Sequence, residues 1–309
     1  MAEPSAEGLD GFLTTKPSPL VALVGLQQLH GSLTERHLLP HPDELSARYI
    51  SLDIDTKFLD HQPGSGEDHQ SVILKRNWLH KHTNVTAAVV CLWFDFSGDT
   101  SSAAVLSTLE GFRSRCRPNA KVVVVLAQSP QEGPLSPGAD ERLGTLRKAG
   151  ELDSKSLFVL PTEGDGEARK VDEAALRRLD KTLLEASLVY YKDESRRNKK
   201  AKQLTGRSAP QLLARHHFKR AYYSEFRRDA ASAFKHWSSC YGYIRELLRL
   251  ILTPAEAEGC SVPLYEVKRV ADFVSCKVCR AMLDAGKQQE AFEAFRKHTR
   301  LFKPLVHAA

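Results

Sequence analysis

Several groupings of side chains in this 309-residue chain are of types that do chemistry. Cys276-Lys277-Val278-Cys279 is the one C-x-x-C, the spacing of zinc thiolates and of redox-active pairs. A structural zinc needs four ligands and no second pair accompanies this one. Inside a helix apolar on two sides, the two thiols are expected to be buried and inert. Asp53 and Asp55 close a predicted second strand where dinucleotide folds place a ribose-binding acid. Asp95 and Asp99 follow the third, where a phosphoacceptor pocket would gather acids around Mg²⁺. The pairs His80/His82 and His216/His217 have no Cys, Asp or Glu at ligand spacing, so solvated or locally bonded imidazoles are expected.

Each of these chemistries requires a second feature, and the sequence lacks it. The first strand-to-helix turn reads Val24-Gly25-Leu26-Gln27-Gln28-Leu29, neither the G-x-G-x-x-G of dinucleotide folds nor the phosphate-wrapping G-x-x-x-x-G-K-[ST]. It is too bulky for a pyrophosphate. Without a glycine turn, Asp53 and Asp55 read as solvated strand-end carboxylates. No acid at Val24-Gly25-Leu26 helps Asp95 hold a metal. Gly64-Ser65-Gly66 and Gly164-Asp165-Gly166 read as linkers. G-x-S-x-G, H-E-x-x-H and a nucleophile–base pair are absent. No catalytic residue, cofactor-binding residue or metal ligand is expected, and the chain is not expected to be an enzyme.

Charge is the stronger signal. Residues 1–186 hold 20 Lys and Arg against 26 Asp and Glu, whereas residues 187–309 hold 24 against 12. Two units facing different partners are expected from such a sign change. Arg196, Arg197, Lys199, Lys200, Lys202 and Arg207 form a dense basic run, continued by Arg215, Lys219, Arg220, Arg227 and Arg228. It is either a solvated helix face or a surface for acidic lipid or an acidic protein, at about 1 kcal/mol per basic group near an anionic membrane. Nucleic acid is not expected, because no aromatic–basic reader signature accompanies the run.

These residues are positioned by two kinds of element. Short apolar runs at 20–24, 47–54, 86–94, 120–127 and 156–160 read as strands. Val122-Val123-Val124-Val125-Leu126 has no polar alternation and is β-branched, as a strand buried on both faces of a parallel sheet must be. Helical spacing at 101–115 and 139–152 between them predicts a βαβ sheet of about five strands with right-handed crossovers. After Val171 every periodicity is helical. The clearest stripe is Ala230, Ala233, Phe234, Trp237, Cys240, Tyr241, Ile244, Leu247, Leu248 and Ile251, which Pro254 must end. The expected fold class is α/β then all-α: an N-terminal Rossmann-like parallel sheet without a nucleotide motif, then an α-solenoid-like helical domain. The expected organisation is a flexible tail at 1–16, an α/β domain at 17–170 and a helical domain at 171–309.

Composition fits this layout. With 42% hydrophobic residues the chain can bury a large core, and no run approaches the ~18 apolar residues of a membrane span. The start Met1-Ala2-Glu3 lacks a signal peptide's basic region, and six scattered cysteines fit a reducing compartment. A soluble intracellular protein is expected, in which the triplet Asn84-Val85-Thr86 is an accident of composition.

Two resemblances extend these readings. Ser232-Ala233-Phe234-Lys235-His236-Trp237 and Glu290-Ala291-Phe292-Glu293-Ala294-Phe295 each begin the second helix of a pair and are similar to a tetratricopeptide-like hairpin. Several blocks in order then resemble the foie gras family, the eleventh subunits of the TRAPP vesicle-tethering complex. They are Pro19-Leu20-Val21-Ala22-Leu23-Val24-Gly25-Leu26, Trp78-Leu79-His80-Lys81-His82 with residues 87–96, and Lys155-Ser156-Leu157-Phe158-Val159-Leu160-Pro161. Arg215-His216-His217-Phe218-Lys219, residues 222–229 and Phe295-Arg296-Lys297-His298 follow. The resemblance implies a non-enzymatic, cytoplasmic scaffold subunit without cofactors, peripherally associated with Golgi and ER–Golgi intermediate membranes. It implies other TRAPP subunits as partners, a Rab GTPase indirectly through the complex, and a role in ER-to-Golgi and intra-Golgi transport and in autophagy. Family members continue the helical array well beyond residue 309, so a truncated isoform or gene product is expected. Two other readings stand beside this one: a degenerate nucleotide-binding domain, and a peripheral module using the basic helical surface on an anionic membrane.

Overall fold

The computed structural model describes residues 9, 11–14, 16–36, 45–56, 72–75, 77–96, 100–116, 119–128, 138–163, 169–204, 210–253 and 262–303. The strands are β1 (Leu20–Val24), β2 (Arg48–Leu52), β3 (Val89–Asp95), β4 (Lys121–Gln128), β5 (Leu157–Glu163) and β6 (Lys170–Val171). The helices are α1 (Gly11–Thr14), α2 (Gly31–Arg36), α3 (Trp78–His80), α4 (Ser102–Arg115), α5 (Ala139–Ala149), α6 (Glu173–Leu204), α7 (Pro210–Phe226), α8 (Ala230–Leu252), α9 (Leu264–Asp284) and α10 (Gln288–Phe302). They form two compact units. One comprises Ser18–Pro63 and His80–Tyr190, the other Met1–Pro17, Gly64–Leu79 and Tyr191–Ala309.

The first unit is the α/β unit. Its strand order is β2-β1-β3-β4-β5-β6; the first five are parallel and β6 pairs antiparallel to β5. Five parallel strands match the expectation, and β6 is an addition. Two residues long, it carries no periodicity for a sequence reading to find. Successive residues of the central strands enter opposite cores, which is why these strands are apolar throughout. Ala22, Val24, Val90, Leu92, Val124 and Leu126 pack with Val105, Leu109 and Phe112 of α4 and Leu146 of α5. Val21, Leu23, Val89, Cys91, Val123 and Val125 pack with Leu33 of α2 and Leu176, Leu179 and Leu183 of α6. Ser101 caps α4, its hydroxyl accepting from the Ala103 amide at 3.2 Å.

The second unit is helical. α7 packs on α8, α8 on α9 and α9 on α10, each burying an apolar stripe. α7 buries Ala214, Phe218, Ala221, Tyr222 and Phe226; α8 buries Ala233, Trp237, Cys240, Ile244, Leu247 and Leu248. Asp229 starts α8 by accepting from the Ser232 amide at 3.0 Å, and the helix ends at Leu252, ahead of Pro254. Trp237 and Phe273 both lie against Phe218, with ring centroids 4.9 and 5.5 Å from it. α1 also belongs to this unit, where the Leu13 carbonyl accepts from Arg280 of α9.

Candidate functional site

The basic block of α7 has an interior role. Arg215 follows Ala214 on the buried side of the helix and is only 8% exposed. Its Nε donates to the Ile73 carbonyl at 2.8 Å, and its guanidinium also donates to the Val72 carbonyl. Across the same peptide, Glu266 of α9 accepts from the Ile73 amide at 2.7 Å and the Leu74 amide at 3.4 Å. One cation and one anion thus hold both backbone groups of Ile73, whose side chain is fully buried. Burial lowers the Arg215 guanidinium below its ordinary value, and Glu266 pulls it back up.

Trp78 anchors the same segment a few residues on. Its ring meets Phe218, Tyr222 and Tyr223 at centroid distances of 6.0, 5.8 and 5.9 Å, edge-on to the first two. The Lys219 ammonium lies 5.8 Å from the Trp78 centroid. Burial, then the nearby Arg215 and Lys75, lowers Lys219 to about 8. Burial also lowers Arg220.

The remaining residues of the basic run lie elsewhere. Arg196 and Arg197, on α6, have side chains 66% and 56% exposed, with Asp193 and Glu194 at 3.6 and 3.3 Å. Lys199, Lys200 and Lys202 lie within α6, but their side chains are outside the described residues, as is Arg207.

Two further polar networks lock the helical unit, and neither was legible in the sequence. Glu225 of α7 accepts from the Trp237 indole of α8 at 2.8 Å and from Lys277 of α9 at 2.9 Å, with Lys277 only 6% exposed. Asp272 of α9 contacts His298 of α10 at 2.9 Å, and the other His298 nitrogen contacts the Tyr241 hydroxyl of α8 at 2.9 Å. Burial pushes the Tyr241 phenol up to about 12. His217 and His236, both buried, meet through their Nδ1 atoms at 3.1 Å, and His82 is buried too. The expectation of two buried thiols needs correction: Cys276 is exposed and Cys279 half-buried. Two residues, about 200° of helix, separate Cys276 from the buried Val274 and from the buried Val278, so it projects opposite to both.

In the α/β unit the first turn is closed. Gly25 has φ +82°, and a Cβ there would lie 2.4 Å from the Trp93 carbonyl of β3. The glycine serves strand packing, because the space a side chain would need there is taken by the β3 backbone. Behind it His30 is 1% exposed, 2.7 Å from the Ser51 hydroxyl; burial lowers it to about 4, against a backbone hydrogen bond to Gly25. Asp53 accepts from Gln27. Asp95 pairs at 3.0 Å with Arg169, which also bonds the Ala127 carbonyl and the Thr162 hydroxyl. Asp99 and both glycine-pair loops lie outside the described residues. Among the described residues no three His, Cys, Asp or Glu side chains are grouped to hold a metal, and no helix is long and apolar enough to cross a membrane.

A family model described as the trafficking protein particle complex subunit 11 N-terminal domain matches residues 69–168. Trafficking protein particle complex subunit 11 of Homo sapiens and that of Bos taurus are each 32% identical to this chain over 256 residues, and that of Gallus gallus is 31% identical. The chain is related in sequence to the N-terminal part of subunit 11. The match takes in 77% of this chain and 20% of each relative, so the chain spans about a fifth of the length of these relatives. The residues that match the subunit 11 N-terminal domain contain the clamped peptide, Trp78 and β3 to β5. Arg215 and Glu266, which grip that peptide, come from the helices beyond them.

Proposed function

We propose that this chain is a non-enzymatic scaffold unit in vesicle trafficking, working within a TRAPP-type tethering assembly. The observation that carries the reading is the identity of about a third to subunit 11 over most of this chain. Its direct partners are other subunits of the assembly. A Rab GTPase is reached through that assembly, in endoplasmic-reticulum-to-Golgi and intra-Golgi transport and in autophagy. The chain is cytoplasmic and sits peripherally on Golgi and ER–Golgi intermediate membranes. The turn at Gly25 supports a scaffold over a nucleotide-binding reading, since its one glycine packs against β3 and the turn lacks the further glycines of a phosphate cradle. Affinity purification of the tagged chain from cells, read by mass spectrometry, tests this. Recovery of TRAPP subunits is expected, and a folded chain that recovers none contradicts it.

A membrane-facing role is the second reading, favoured by the exposed Arg196 and Arg197 on α6. It predicts salt-sensitive sedimentation with phosphatidylserine vesicles that R196E/R197E weakens. Sedimentation unchanged by that variant counts against it.

A further inference from the structure

α8, α9 and α10 enclose a groove of about 690 Å³. Its floor is apolar, made by Val278, Met282, Ala294 and Leu301, and Leu301 is 37% exposed. Three cations line it, Arg245 of α8 with Lys297 and Arg300 of α10. All three are exposed, and none has a carboxylate partner among the described residues. Two acids share the groove; Glu290 is paired with Lys287 at 3.3 Å, and Glu293, which accepts from the neutral Gln289 amide, is the one carboxylate set against the three cations. The free charge of the groove is therefore positive. Its walls are fixed relative to one another, because the Asp272–His298–Tyr241 chain of hydrogen bonds ties all three helices together beside it. A preformed groove loses little ordering entropy on binding.

We propose that this groove binds an extended acidic peptide segment of another protein, its carboxylates meeting Arg245, Lys297 and Arg300 and an apolar side chain seated on Met282 and Val278. The apolar lining disfavours a polyphosphate backbone or a flat anionic bilayer, neither of which supplies an apolar anchor to a concave site. The assignment rests on the groove alone and stands independently of the trafficking reading.

The test is a displayed library of random dodecapeptides selected on the full 309-residue chain, with R245E/K297E/R300E selected in parallel. All three positions are on the surface, so the variant is expected to keep the thermal unfolding of the parent. The expected result is enrichment of Asp- and Glu-rich peptides carrying apolar residues. Binding of an enriched peptide, read by fluorescence anisotropy, falls at least about tenfold in the variant and weakens as salt rises above about 0.1 M. Four results overturn the proposal: no enrichment, enrichment of basic or purely apolar peptides, equal affinity for the variant, or self-association of the chain that R245E/K297E/R300E abolishes. The last would make a second copy the occupant.

Discussion

Replacing Arg215 by methionine isolates the structural role of a residue that, by sequence, belongs to a surface basic run. The substitution keeps a long unbranched stem but removes donors to the Ile73 and Val72 carbonyls, each charge-assisted bond contributing about 1.5–3 kcal/mol. It also leaves Glu266, 8% exposed, as a buried anion without its nearby cation, and breaking such a pairing costs about 3–5 kcal/mol. Because methionine no longer requires desolvation of a guanidinium, the two contributions do not simply add. The expected loss is about 3–5 kcal/mol, or roughly 10 °C in Tm. Urea unfolding followed by tryptophan emission is the assay, since Trp78 and Trp237 both lie in the helical unit. Adding E266Q neutralises the stranded anion, so R215M/E266Q is expected to be less destabilised than the sum of the single variants. R196A, at the exposed end of the same run, is expected within about 0.5 kcal/mol of the parent. A loss under about 1 kcal/mol for R215M, or one no larger than that control, refutes the clamp.

Further outcomes follow from the same geometry. Gly25→Ala is expected to destabilise the α/β unit by about 2–4 kcal/mol in chemical denaturation, from the positive φ and the 2.4 Å approach to the Trp93 carbonyl. His30, lowered from 6.5 to about 4 by burial, is neutral in the folded state, so stability is full above pH 6.5 and declines as pH falls toward 4. The expected size is about 3 kcal/mol, and His30→Gln should remove that part of the pH profile. Lys219, lowered from 10.5 to about 8, opposes folding wherever it must be charged. Lys219→Met should stabilise by about 1–3 kcal/mol below pH 8, with the gain fading as pH rises to 10.5, as measured by urea midpoints across that range.

The sheet was legible where one strand carried its own signal. Five consecutive apolar residues from Val122 specify a strand buried on both sides, and β4 pairs with β3 and β5 there. The α8 stripe and its stop before Pro254 were equally local. What escaped the sequence depends on distant partners. Arg215 sits among basic residues, and nothing local tells it from Lys219 or Arg220; its partner Ile73 is 142 positions away. The Glu225–Lys277 pair spans 52 positions and Asp95–Arg169 spans 74, so each reads as unpaired surface charge until the tertiary fold brings the partners together. Cys276 failed differently: apolar neighbours on two sides of α9 suggested burial, but its own angular position faces outward.

The proposed trafficking role is tested most directly in cells lacking subunit 11, by replacing the matching N-terminal part of human subunit 11 with this chain and timing a synchronised secretory cargo to the Golgi. Restored arrival is predicted. A chimera that accumulates to normal levels yet leaves cargo in the endoplasmic reticulum would contradict the account.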